Sequence, residues 1–428
     1  MGARSNKNIR NHIFIINGII QEALIKKNEP VDLVIVDYRQ CFDSLWLEEC
    51  CNDLFEAGVQ DDEIALIYEI NSNNQIAVKT PFGESERKTI EKLILQGEIF
   101  GPLQCSVTID TIGKECVEEH KNLYMYKGLV GVPPLAMIDD VICPAVCGLK
   151  SVEVTAFINA KSNAKKIQFG VDKCHQLHIG KNKGICPELH IDSWGIKKMD
   201  EAQTGFKNLV DVKMDDHKLE NVEKEKYLGD IITTDGNNMK NVEARRSKSV
   251  GIIKQINKML NEVCYGPYHF EVALLFREAF LLNGILTNSE AWYNVKSQEV
   301  EILEKCDENL IQSILETPRT TAKCMLYLET GAKPIRFILM KKRLMFLHYI
   351  LNEPSQSLIN RFFIVQERNP SKNDWCSKVK EDLAYLEIFL SFEQIKIAST
   401  YQLKTLVEKA INENHSFISI LRRKRKVK

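Results

Sequence analysis

A chain of 428 residues that is 44% hydrophobic, 27% charged and 8% aromatic has ordinary globular chemistry, which excludes wholesale disorder, a collagen-like repeat and a disulfide-stapled miniprotein. Lys and Arg total 57 against 58 Asp and Glu, a net charge of −1, so the protein is not globally basic, although local basic faces that bind phosphate remain open to it. The length suggests two or three domains, and no apolar run reaches the roughly 18 residues that a membrane-spanning helix needs.

The opening MGARSNKNIRN lacks the apolar core of a signal peptide, so an intracellular chain is expected. Asn6 stands where a myristoylation signal wants Ser or Thr. Residues 8–24 place Ile9, Ile13, Ile16, Ile20 and Leu24 at helical spacing. Asn28-Glu29-Pro30 breaks that helix, and VDLVIV follows as a buried strand. Residues 45–55 predict a helix stopped near Gly58, and Asp61, Asp62 and Glu63 open another, their charges complementing its dipole. QIAVKT and the segment after Pro81-Phe82-Gly83 predict paired strands around a turn. Residues 106–121 predict a helix, and the apolar stretches flanking Asp139-Asp140 a hairpin. HQLHIG, ELHID and YLGDII each suggest a short strand. From about residue 241 helical periodicity runs almost to the end, through 242–260, 270–283, 300–315 and 335–351. A β-containing first half before a helical second half implies an α+β domain plus a helical module.

The 13 cysteines form no repeating frame and read as reduced, small core residues. Cys143 with Cys147, and Cys174-His175 before His178, offer ligand atoms for zinc, but no complete finger spacing accompanies them. Two acidic positions stand out. Asp37 closes a strand expected to be buried, and Asp139-Asp140 interrupts PPLAM and VICPAV. Desolvated neighbouring carboxylates repel and raise one another's pKa unless a cation compensates. Three such acids suit a pair of Mg²⁺ ions, the arrangement that activates a hydroxyl and stabilises a leaving phosphate. The alternatives are a solvated hairpin turn for Asp139-Asp140 and a helix cap for Asp37.

The order VIVDYRQCFDSLW, LILQGEIFGPLQCS, AMIDDVI and QFGVDKCHQLHIGK resembles the ordered motifs of a reverse transcriptase, most closely the non-LTR (LINE-type) retrotransposon class. Motif A is matched by Asp37, Phe42 and Asp43, motif B by Gln96, Gly97 and Pro102, motif C by Met137, Ile138, Asp139 and Asp140, and motif D by Lys173. YLGD at Tyr227 to Asp230 is similar to the element leading into the thumb, as is the helical stretch 268–294 to the thumb itself.

The resemblance implies an α+β fold: a right-hand polymerase palm with an antiparallel sheet and partial fingers over residues 1–235, a helical thumb over 236–330, and a helical extension with a basic tail over 331–428. It implies RNA-directed DNA polymerase activity, adding dNTPs to a primer 3′-end on an RNA template. Asp37 and Asp139, with Asp140 beside them, would be the catalytic ligands of two Mg²⁺ ions. Phe42 would crowd a 2′-hydroxyl, Gln96 and Gly97 would let backbone approach the nucleotide, and Lys173 would contact phosphate or protonate pyrophosphate. Lys165, Lys166, Arg245, Arg246 and Lys248 would face nucleic-acid phosphates, while the Lys341–Arg343 cluster reads rather as an exposed helix face. The terminal RRKRK resembles a nuclear-localisation or nucleic-acid patch, which slightly favours the nucleus over the cytoplasm; the alternative is a disordered solubilising tail. The chain starts inside the region where family members carry a fingers hairpin, so the expectation is an N-terminally truncated polymerase of weakened activity. Ile138 replaces the small residue common before Asp-Asp and is expected to tighten packing there. A non-catalytic nucleic-acid-binding protein derived from a retroelement fragment, and a helical interaction scaffold, are the alternatives.

Overall fold

The computed structural model describes residues 8–26, 29–39, 41–89, 100–120, 123–146, 148–180, 212–215, 217–263, 269–371 and 374–426. They divide into two compact units: the first takes the chain up to His12 and Glu22–Leu228, the second takes Ile13–Gln21 and Gly229–Lys428. No helix among the described residues is long and apolar enough to cross a membrane.

The first unit is α+β. Its sheet is ordered Glu220–Asn221, His175–Ile179, Val31–Asp37, Asp140–Ala145, Leu135–Met137. Val31–Asp37 is central because VDLVIV can bury both faces, and every residue but the terminal Asp37 is buried. It pairs antiparallel with both neighbours. The short outer strand Glu220–Asn221 runs parallel to His175–Ile179, so the sheet is mixed rather than antiparallel throughout. Helix Gly101–Glu119 starts with Pro102 in its first turn, where a missing N–H costs nothing. It packs with helix Gly148–Ala164 and the sheet around Val36, Cys143, Ile109, Ile112, Val154 and Ile158.

Other elements follow the local signals. Asn8 accepts from Arg10 N as the cap of helix Ile9–Ile25. Helix Leu47–Glu56 ends before Gly58, whose φ of +89° needs glycine. The region 75–89 forms nested strand pairs, Gln75–Ile76 with Lys88–Thr89 and Lys79–Thr80 with Gly83–Glu84. YLGDII is not one strand: Leu228 (φ +47°) and Gly229 (φ +85°) make a turn between Lys224–Tyr227 and Asp230–Thr233. ELHID lies outside the described residues.

The buried cysteines of this unit, among them Cys41, Cys50, Cys105, Cys116, Cys143 and Cys174, are free thiols, and burial raises the Cys143 thiol well above its usual value. They pack as small apolar residues. Zinc is not assembled from the suggested ligands: His175 Nδ1 lies 2.7 Å from Glu225 and His178 Nδ1 2.6 Å from Asp32, while Cys143 is buried within the sheet. Cys147 lies outside the described residues.

The second unit is helical, with Met239–Val263, Ser297–Ile314, Ile335–Asn352, Leu358–Arg368, Trp375–Tyr385 and Thr400–Lys426 its longer members. The helix expected over 270–283 contains a π-helical segment, Arg277–Leu282. An aromatic cluster anchors the unit: Phe14 meets Phe346, Phe362 and Trp375 edge-on at centroid distances of 5.7, 5.7 and 5.1 Å.

Candidate active site

The strand pairing settles where the acids meet. Asp37, the last residue of the central strand, lies directly opposite Asp140, the first residue of the next. Opposed residues on antiparallel strands share a sheet face with Cβ atoms about 4.5–5.5 Å apart. Met137 pairs with Asp140, leaving Ile138 and Asp139 as a two-residue turn. Ile138 has φ +60°, the left-handed setting that glycine usually supplies at the first position of such a turn. A β-branched residue there stores strain of order 1–3 kcal/mol, and its side chain packs, half-buried, on the core cluster.

The electrostatics are unbalanced. Burial raises the Asp139 carboxyl, the charge of Asp37 raises it further, and Lys173 opposes. Asp140 is pushed up to about 6 by burial, then by Asp139 and Asp37, against Lys173 and Lys226. Asp37 Oδ2 is buried without a hydrogen bond; a cation close to it is Lys173, 3.5 Å away on a side chain that is 74% exposed.

A turn from another part of the chain holds the Asp37 backbone. Gly170 N donates to Asp37 O at 2.9 Å and Arg39 N to Gln168 O at 2.9 Å. Asp37 N donates to Cys174 Sγ at 3.3 Å, and the Tyr38 and Phe169 rings stack at 5.2 Å. Gly170 and Lys226 were not singled out by sequence reasoning, and Cys174 was read only as a possible zinc ligand. Gly170 and Cys174 stand inside the motif D string, but a single sequence does not tell a turn glycine from one cleared for a neighbour's carboxylate.

The other candidates separate into free and committed groups. Phe42 is half-buried against the core cluster. Gln96 and Gly97 lie outside the described residues. Lys165 is not a free phosphate ligand: its Nζ lies 2.5 Å from the buried Asp53. Lys166 sits 4.4 Å over the Trp46 ring. Arg245 is likewise internal, buried, ion-paired with Asp230 and stacked on Trp292. In the Lys341–Arg343 cluster Arg343 is not exposed but buried on Asp382. Arg246 and Lys248 are exposed.

Among the described residues no three His, Cys, Asp or Glu side chains close into a ligand cage. Magnesium does not require one: it is held by one or two carboxylates, retains water and takes its remaining oxygens from substrate phosphates. Hard oxygen donors, uncompensated negative charge and the orphaned Asp37 Oδ2 fit that ion.

Neither a family model nor a curated protein matches the chain. Among solved structures it is similar to telomerase from Candida tropicalis in complex with a TWJ fragment of telomeric RNA (TM-score 0.40, 11% identity, covering 94% of this chain and 52% of that one). It is also similar to apo telomerase from Candida tropicalis (TM-score 0.39, 12% identity, 85% and 58%), and to telomerase from Candida albicans with the same kind of RNA fragment (TM-score 0.39, 11% identity, 86% and 52%). The chain spans just over half the length of these structures.

Proposed function

We propose that this protein is an RNA-directed DNA polymerase, similar to non-LTR (LINE-type) reverse transcriptases, that extends a DNA primer with dNTPs on an RNA template. The observation that carries the reading is the register Asp37 opposite Asp140 with Asp139 in the adjoining turn. Two sequence motifs about a hundred residues apart thereby become one acidic site. In this reading the first unit supplies palm and partial fingers, and the helices from about residue 236 supply thumb and extension.

Asp37 and Asp139, with Asp140 beside them, would hold the two Mg²⁺ ions. Bound there, Mg²⁺ supplies the positive charge that makes a primer hydroxyl acidic and neutralises a triphosphate. The remaining work belongs to the chain. Sheet pairing fixes the Asp37 and Asp140 backbones at one strand end, which limits the reorganisation needed when charge develops. Lys173, exposed beside Asp37, would meet phosphate oxygens. Phe42 is braced against the core on the segment following Asp37, where an aromatic wall would disfavour a 2′-hydroxyl. Arg246 and Lys248 present charge for backbone phosphates without reading sequence.

Primer extension on an RNA template in Mg²⁺, comparing wild type with Asp139→Asn and Asp37→Asn, tests this. Extension that either substitution reduces at least a hundredfold supports the assignment. Extension indifferent to both sinks it, and nucleic-acid binding that persists in EDTA without any extension would favour a non-catalytic binding protein.

A further inference from the structure

Gly170 invites a question that its backbone does not answer. Its φ of −82° and ψ of 71° lie in an inverse γ-turn region open to any L-residue, so conformational freedom does not explain a glycine. The space around it does. A Cβ built at Gly170 would meet Asp37 Oδ2 at 2.7 Å, and the next atoms, also of Asp37, only at 3.7 Å. The side chain that glycine lacks would therefore occupy the place where the carboxylate oxygen now sits.

We propose that Gly170 is a positioning residue for Asp37: its bare Cα leaves the room in which the carboxylate sits while the backbone stays bonded to the 170–174 turn. The proposal rests on the reading of Asp37 as a cation ligand and adds to it what sets that ligand's position. Two further contacts make the seat rigid. Gly170 N holds Asp37 O, and the Cys174 thiol lies between the Asp37 N–H, 3.3 Å away, and the Asp37 carbonyl, 3.6 Å away. Asp37 is thus fixed at N and O, so a side chain at residue 170 cannot be accommodated by moving the strand. The carboxylate must yield instead, by about 0.7 Å, to reach an ordinary contact.

The consequence is a separation of fold from function. A displaced side-chain tip is easily absorbed in folding, but a ligand moved by that distance loses its geometry, and small misplacements at a reacting centre can cost about a hundredfold in rate. Gly113, where an added Cβ would meet nothing within 4 Å, is the matched control.

The test is Mn²⁺ binding, followed by the electron paramagnetic resonance of the free ion, together with thermal melting of the full chain. Wild type and Gly113→Ala should bind alike, Asp37→Asn should lose the site, and Gly170→Ala should bind at least tenfold more weakly while melting within a few degrees of wild type. In primer extension Gly170→Ala should lower kcat more than it raises the KM for dNTP. Gly170→Ala binding Mn²⁺ as tightly as wild type overturns the proposal. If Gly170→Ala melts early, the double variant Asp37→Ala/Gly170→Ala decides: removing the carboxylate should restore the melting temperature, and failure to restore it overturns the proposal. That comparison needs no cation. A wild type that binds no Mn²⁺ would end the cation-ligand reading, while the double variant would still judge the steric seat.

Discussion

Buried acids in the helical unit and acids at the sheet turn are treated differently by the same chain. In the helical unit Asp307, Glu304 and Asp382 are each met by an arginine. Asp307 takes Arg277 through two bonds, 2.6 and 2.7 Å, and the Tyr327 hydroxyl at 3.2 Å. Glu304 takes Arg336 at 2.7 Å twice, and Asp382 takes Arg343 at 2.6 Å. At the sheet turn Asp37 raises the proton affinity of Asp139, and both raise that of Asp140. An exposed lysine 3.5 Å from Asp37 answers them in part, with Lys226 acting on Asp140. Where a carboxylate serves the fold, folding supplies its counter-charge. At the sheet turn the compensation is weaker, and in the proposed reading a bound cation would complete it.

The largest effect expected from this contrast is in the helical unit. Asp307→Ala leaves the Arg277 guanidinium buried without its partner, which costs about 3–5 kcal/mol. Chemical denaturation should register that loss, and a change under about 1 kcal/mol would break the contrast from the helical side.

Asp140→Asn should move stability the other way. The folded Asp140 carboxyl titrates at about 6 against an ordinary value of 3.8, so the folded state binds the proton more tightly than the unfolded one. Stability therefore falls as pH rises from about 4 to about 6, and the full penalty is present above that window. Asparagine removes the charge and the slope together. After discounting for the solvent screening of a half-exposed group, the gain at pH 7 is on the order of 1 kcal/mol. Melting curves of the two proteins between pH 4 and 7 should converge at the acid end, and parallel curves would contradict the idea that burial and charge repulsion together penalise the ionised carboxylate at this turn.

That contrast was half legible in the sequence. VDLVIV announces a buried strand because no residue after Asp32 objects to burial before Asp37, and AMIDDVI announces a hairpin because apolar flanks enclose two acids. From those two facts the meeting of the acids could be expected. Their weak compensation could not, since a sequence displays charges without saying which are already engaged. Lys165 and Arg245 looked like free cations, yet Lys165 reaches Asp53, 112 positions away, and Arg245 reaches Asp230. YLGDII looked like a strand from its apolar content, but the left-handed settings of Leu228 and Gly229 divide it. Gly170 was hidden for the same reason as the ion pairs: the carboxylate it makes room for belongs to Asp37, far back in the chain. The π-helical segment Arg277–Leu282, inside a regular helical pattern, carries the buried Arg277.

The smallest expected effect sharpens the contrast most, because it concerns a cation that the turn does have. Lys173 is 74% exposed and its contact with Asp37 Oδ2 is 3.5 Å, a pair of the kind worth about 0–1 kcal/mol. It partly offsets the site's negative charge, so it competes with any divalent ion for Asp37 while remaining free to swing toward a phosphate. Lys173→Gln should therefore tighten Mn²⁺ binding by up to about fivefold at low salt. The difference should shrink as ionic strength shortens the screening length below about 10 Å. In primer extension the same variant should raise the KM for dNTP if, as proposed, the lysine that hinders the ion also meets the triphosphate. A variant that binds Mn²⁺ more weakly at low salt would mean that Lys173 supports the acidic turn rather than competes for it, and the turn would then belong with the satisfied acids of the helical unit.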